Sequence, residues 1–267
     1  MHKLSRQVRF AVDPFAKSAI TGANSYCAKP TAQGLAFYFS LWVELKGSAN
    51  KDTGFVVNVS NIDKIVREKA VGIFNDFVKN HPNSSFEQIG QLLGKVWQKI
   101  EKDFLPAKIS GLAVELMPAR KLGIKERSGK MLYFSEKFEF SASHTLWNKK
   151  FSDSENFKIF GKCANLAGHG HNYIVEVTIK KTGLAPGPVP GGVNAGDFER
   201  IVDKHFIDVV DHKNLDTDVK HFKKVNPTVE NIAEFAFGSL RNKFKPFKLD
   251  CVTVWENDRT FCSFRAD

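Results

Sequence analysis

With 267 residues, 42% of them hydrophobic and 25% charged, the chain is long enough for one large or two ordinary globular domains and apolar enough to pack them. No apolar run approaches the length of a spanning helix, the N-terminus lacks the apolar stretch of a secretory signal, and the four cysteines show no disulfide framework, so a cytoplasmic protein with reduced thiols and no membrane partner is expected. The formal net charge of +10 comes from Lys and Arg spread along the chain rather than from a basic tail; it suits a solvated basic surface or a small polyanionic ligand, and nucleic acid is not an expected partner.

The chain contains two copies of one unit. When Cys27 is set against Cys163, the halves run without a gap to Val66, and Ala28/Ala164, Gly34/Gly170, Gly47/Gly183, Asn58/Asn194 and Val66/Val202 coincide. With a second offset, Ser85-Phe86-Glu87 faces Thr228-Val229-Glu230. The expected division is 1–133 and 134–267. In the second copy, Phe138, Phe140, Ala142 and His144 alternate with polar or small residues, which predicts a half-buried strand. His169, Tyr173, Val175, Val177 and Ile179 predict a second strand, with His171 in the same register.

A Pro/Gly-rich loop, 184–192, ends that pairing, because proline removes ladder donors. A short strand over Val193-Asn194-Ala195 is expected to lead into a helix with the apolar stripe Phe198, Ile201, Val202, Phe206, Val209 and Val210. A second helix opens at Asn226-Pro227-Thr228, a polar cap beside a proline, and carries Val229, Ile232, Ala233, Phe237 and Leu240. Two final strands run over 251–255 and 260–264, with Cys251 and Cys262 as packed strand residues. The order β-β-α-α-β-β predicts an α+β unit, an antiparallel sheet with two helices on one face.

The chemistry gathers in the second copy. Side chains alternate across a strand, so His169 and His171 point the same way, about 7 Å apart along the backbone at a rise of about 3.3 Å per residue. His144 ends the preceding strand, and antiparallel pairing would bring it alongside. Three imidazoles can hold one metal ion and leave a position open, as catalytic zinc sites do. Two other readings stand beside this one: ordinary histidines, or a closed structural site with Cys163 as fourth ligand. Cys163 would act as base or nucleophile only as a thiolate. Asp211-His212 is a carboxylate–imidazole pair suited to proton transfer, or simply a polar helix end. Glu230 and Glu256, taken singly, read as surface charges.

Taken together, Phe140-Ser-Ala-Ser-His144, Phe160-Gly-Lys-Cys163, Gly168-His-Gly-His-Asn-Tyr173, Val210-Asp-His-Lys-Asn-Leu-Asp216, Pro227-Thr-Val-Glu-Asn231 and Val254-Trp-Glu256 resemble the 6-pyruvoyltetrahydropterin synthase family across residues 134 to 267. The resemblance implies the tunnelling fold, homo-oligomers with sites at subunit interfaces, and zinc on His144, His169 and His171. It implies Cys163 as general base and Asp211 and His212 as a proton relay from a neighbouring subunit. Glu256, helped by Thr228 and Glu230, would hold the guanidine edge of a pterin ring.

The implied substrate is 7,8-dihydroneopterin triphosphate, with elimination of triphosphate. Cys163 stands six positions before His169, the spacing of the tetrahydrobiopterin-pathway members rather than the shorter one usual in 6-carboxytetrahydropterin synthases. The latter activity, or a non-catalytic pterin-binding protein, is the alternative. The first copy departs from the pattern. Pro14, Gln33 and Leu35 stand opposite the histidines, and Asn75-Asp76 replaces Asp211-His212. Cys27 and Glu87 remain, and Glu115 is placed within one residue of the counterpart of Glu256. A unit without metal ligands is expected there, with Glu87 or Glu115 as the groups that could still hold a ring.

Overall fold

The computed structural model describes residues 1–15, 28–30, 34–126, 130–184 and 193–266. They form two compact units, Met1–Phe134 with Lys181–Asn194, and Ser135–Lys180 with Ala195–Asp267. Cys27, Gln33 and loop residues 185–192 lie outside the described residues.

In the first unit the chain runs β1 (His2–Val12), β2 (Phe37–Gly47), α1 (Val59–Lys69), α2 (Val71–Asn80), α3 (Phe86–Ile100), β3 (Lys108–Met117) and β4 (Arg120–Glu126). The four strands are antiparallel neighbours in sequence order. Val8 and Phe10, Leu41 and Val43, Leu112 and Val114, and Leu122 and Ile124 are all buried, so one sheet face makes the core. Ser85 starts α3 with a capping box: its hydroxyl accepts from the Gln88 amide and the Gln88 side chain accepts from its own. Behind that cap α3 buries Ile89, Leu92, Leu93, Val96 and Ile100, a stripe at helical spacing.

One expectation for this region is corrected. Val193 and Asn194 are not in a strand: the Val193 carbonyl accepts from the Phe86 amide at 3.0 Å, so its bond goes to the start of α3 instead of a ladder. Glu115 lies within β3, opposite Ser40, on the face away from the core, where it accepts from Trp42 Nε1 (2.7 Å) and Gln7 Nε2 (3.1 Å). Counted from the register shift that each strand carries, it matches Trp255, the residue before Glu256, in line with the one-residue offset read from the sequence.

The second unit contains β5 (Lys130–His144) from Ser135 on, α4 (Asp153–Phe160), β6 (His169–Thr182) as far as Lys180, α5 (Ala195–Val202), a π-helical turn Asp203–Ile207, α6 (Asp208–Val210), β7 (Lys213–Asn214), α7 (Leu215–Asp218), α8 (Val229–Leu240), β8 (Lys248–Trp255) and β9 (Phe261–Phe264). Strand order is β5-β6-β8-β9, and short β7 runs parallel to β5 at Ala142 and Ser143. Phe140, Ala142 and His144 from β5, Tyr173, Val175 and Val177 from β6, and Val252 and Val254 from β8 are buried. So are Phe198, Val202 and Phe206 of the first helical segment and Ile232, Ala233 and Phe237 of α8. This α+β build, with helices on an antiparallel sheet, is the fold class expected from the sequence. Val209 departs from its expected stripe, being 38% exposed. The π turn adds a residue to the helical path and passes the inward position to Val210.

Candidate active site

His144 is the last residue of β5 and is 1% exposed. Its Nδ1 lies 2.8 Å from the Pro227 carbonyl oxygen. A carbonyl only accepts, so Nδ1 carries the proton and Nε2 keeps its lone pair. That Nε2 stands 3.1 Å from His169 Nε2. His169 opens β6, and His171 follows on the same face. Gly168, just before them, has φ +74°, and a side chain there would press its Cβ to 3.2 Å from the His144 carbonyl oxygen. Glycine therefore lets β6 begin against the end of β5.

The ligand nitrogens of His144, His169 and His171 all lie within 4.8 Å of one another. His169 Nδ1 and His171 Nε2 are buried without a hydrogen-bond partner among the described residues. For a tetrahedral ion with nitrogen ligands at about 2.0–2.1 Å, adjacent ligands stand about 3.3 Å apart. The residues present therefore fit a metal held by three imidazoles. Burial pushes the His144 and His171 imidazoles below their ordinary pKa, which favours the neutral, ligating form. Among the described residues this is the only such cluster, it does not include Cys163, and the first unit has none.

Cys163 lies half-buried on the 3₁₀ turn Gly161–Ala164. Its carbonyl accepts from the Leu146 amide at 2.8 Å, which ties the turn to the chain leaving His144. Fully buried Asn156 knits that chain together. Its Oδ1 accepts from the Asn148 amide, and its Nδ2 donates to the carbonyls of Asn148, Phe151 and Ser152. Burial, then the charge of Glu256, pushes the Cys163 thiol above its ordinary pKa. The Glu256 carboxylate stands 3.5 Å from His171 Nε2 and 3.7 Å from His144 Nε2.

Asp211 ends α6. One carboxylate oxygen accepts from the Ser141 amide and the other lies 2.8 Å from His212 Nδ1. The Ser141 bond and then His212 hold Asp211 below the usual carboxylate range. The His212 ring is 81% exposed and, with Ser141, His171, Asn172 and Lys213, borders a cavity of about 440 Å³. Cys163 does not line it. Thr228 caps α8, its hydroxyl accepting from the Asn231 amide, and Glu230 is exposed in the first turn. The carbonyl just before Thr228 is the one on His144, which binds this cap to the histidines.

Sequence reasoning missed two supports. Asp216 accepts from the Thr145 amide at 2.7 Å, and Asn156 staples the loop. Asp216 closes a motif quoted above, but its partner lies 71 residues away and only the fold shows it; Asn156 acts within eight residues, on the chain just before it.

The sequence profile described as 6-pyruvoyl tetrahydropterin synthase matches residues 133–267. The human protein named 6-pyruvoyl tetrahydrobiopterin synthase is 39% identical over 134 residues, which is 50% of this chain and 90% of the human one. Its Drosophila melanogaster namesake is 34% identical over 140 residues, 50% of this chain and 79% of its own. The structure of Caenorhabditis elegans 6-pyruvoyl tetrahydropterin synthase aligns at 31% identity with a TM-score of 0.47, covering 52% of this chain and 98% of that one. Through its second unit, the chain belongs to the 6-pyruvoyl tetrahydropterin synthase family.

Proposed function

We propose that the chain is a zinc-dependent lyase converting 7,8-dihydroneopterin triphosphate to 6-pyruvoyltetrahydropterin with loss of triphosphate. The observation that carries this reading is the approach of two imidazole nitrogens to 3.1 Å, beside a third histidine, in a chain whose relatives are named for that activity. Two lone pairs at that separation repel unless a cation or proton lies between them.

Zinc held by His144, His169 and His171 would polarise the side-chain hydroxyls of the substrate. Cys163 takes a carbon-bound proton from that side chain, and the electron pair released expels triphosphate from the neighbouring carbon. The thiol needs a positive group beside it to act as base, since burial and Glu256 otherwise hold its proton on. Glu256 holds the guanidine edge of the ring, helped by Thr228 and Glu230 at the start of α8.

Asp211 fixes the His212 imidazole, which moves protons for the Cys163 of a neighbouring subunit. The exposure of the His212 ring supports that assignment. The enzyme is accordingly a homo-oligomer with shared sites. No helix among the described residues is long and apolar enough to cross a membrane. Cys163, Cys251 and Cys262 are free thiols, in keeping with a reducing, cytoplasmic setting. The first unit is a degenerate copy that builds the assembly without metal.

Metal analysis with turnover of dihydroneopterin triphosphate, the product identified by mass, tests the activity. One zinc per chain and the pyruvoyl product are expected; a carboxy product, or no turnover, would defeat the assignment. Mixing inactive Cys163→Ala and His212→Ala proteins tests the shared site. Regained activity is expected, and none would place the relay within one chain.

A further inference from the structure

We propose that the Tyr173 hydroxyl is a positioning group of the same site, donating a hydrogen bond to the oxygen that substrate or water presents to the histidine cluster. The inference rests on the functional reading above for the identity of the substrate, and on this chain's own geometry for the hydroxyl.

Alternation along β6 places Tyr173 on the face of His169 and His171, one step further into the unit. Its ring is stacked on Phe140 with centroids 4.8 Å apart and planes at 9°, and the His171 ring meets it edge-on at 5.5 Å. The phenol is therefore held in one orientation. The residue is 0% exposed, and its hydroxyl has no hydrogen-bond partner among the described residues.

A buried hydroxyl left unpartnered is costly, and a phenylalanine would pack the ring equally well without that cost. The chain uses phenylalanine freely in this core, at Phe140, Phe198 and Phe206 for example. The oxygen on Tyr173 therefore requires a use that packing does not provide. The His144 ring meets the phenol edge-on as well, with centroids 6.3 Å apart, so Tyr173 packs against two of the three histidines. A phenol there is a neutral donor of fixed direction. It can serve an oxygen lone pair without adding charge next to the imidazoles.

Tyr173→Phe removes the oxygen and keeps the ring. Binding of 7,8-dihydroneopterin, which has no triphosphate to lose, is measured by fluorescence on zinc-loaded protein, and melting temperature is measured on metal-free protein. The inference expects affinity to weaken by about 3- to 10-fold, the range of one hydrogen bond, with a matching fall in kcat/KM. It also expects metal-free Tyr173→Phe to melt no lower than the parent, because an unpartnered hydroxyl has been removed. Affinity within twofold of the parent overturns the inference, and so does a metal-free variant that is destabilised or fails to fold, since the hydroxyl would then be structural. Should the parent neither bind dihydroneopterin nor turn over its triphosphate, the functional reading fails by itself and zinc affinity decides the tyrosine. A loss of about 10-fold in Tyr173→Phe supports a hydroxyl acting on water at the cluster, and unchanged affinity overturns it.

Discussion

Ser85-Phe86-Glu87 and Thr228-Val229-Glu230 obey the same local rule to different ends. In each, a hydroxyl caps a helix by accepting from the amide three residues on, at Gln88 and at Asn231. In the first unit the glutamate side chain is 3% exposed and paired at 3.1 Å with Lys181. In the second it stands exposed in the first helical turn. The residue before each cap differs too. Ser84 donates its hydroxyl to the His81 carbonyl, whereas Pro227 turns its carbonyl onto His144. The cap is a requirement of folding and is kept in both. The carboxylate beside it became part of the packing in one unit and stayed exposed in the other.

The contrast breaks most sharply at the thiol and the histidines. Cys163→Ala should lower turnover at least 100-fold, the scale of a lost general base, while leaving one zinc per chain by metal analysis. His144→Ala should lose the metal as well. If Cys163→Ala turns over like the parent, the second unit has no special claim on the chemistry.

Next in size, the two glutamates should respond in opposite ways. Glu87→Gln should destabilise by about 1–3 kcal/mol in denaturant unfolding, since the partly open Lys181 softens the full penalty of a broken buried pair, and should leave KM unchanged. Glu230→Gln should change stability by less than about 0.5 kcal/mol and raise KM. Equal responses would remove the distinction between the units.

Gly54 and Gly168 sharpen the comparison, for both have φ +74°. Nothing lies within 4 Å of a Cβ at Gly54, whereas one at Gly168 meets the His144 carbonyl. Alanine at either position should cost about 1–2 kcal/mol for the left-handed backbone, and only Gly168→Ala should also weaken zinc binding. The smallest effect is in acid. Asp211 has a folded pKa below its unfolded value of about 3.9, so its contribution is present above that pH and fades as pH falls toward the folded value. Asp211→Asn should flatten the stability profile below about pH 4, and an unchanged profile would show the Ser141 bond to be without weight.

Periodicity made much of this legible. Alternation over Phe138 to His144 and His169 to Ile179 placed the right faces inward, and the Asn226-Pro227-Thr228 signal placed the start of α8. The meeting of His144 with His169 was readable only as a consequence of antiparallel pairing, because no local pattern states a distance between strands. Val209 was misplaced because a π turn is invisible to a 3.6-residue count. The placement of Glu115 within one residue of the counterpart of Glu256 agrees with strand register, which matches Glu115 to Trp255. The position of Glu256 against the imidazoles also lay beyond the sequence, for it depends on where β8 ends beside β6.

The acceptor that orients His144 is a peptide oxygen, and this has a consequence for mutagenesis. Any of the twenty residues at position 227 would bring the same atom, so a saturation library there deletes no acceptor and instead samples how rigidly the backbone presents it. Variants that lose metal in such a library would be reporting slack in the chain ahead of α8, and adding stiffness nearby, rather than restoring any side chain, would be the way to rescue them.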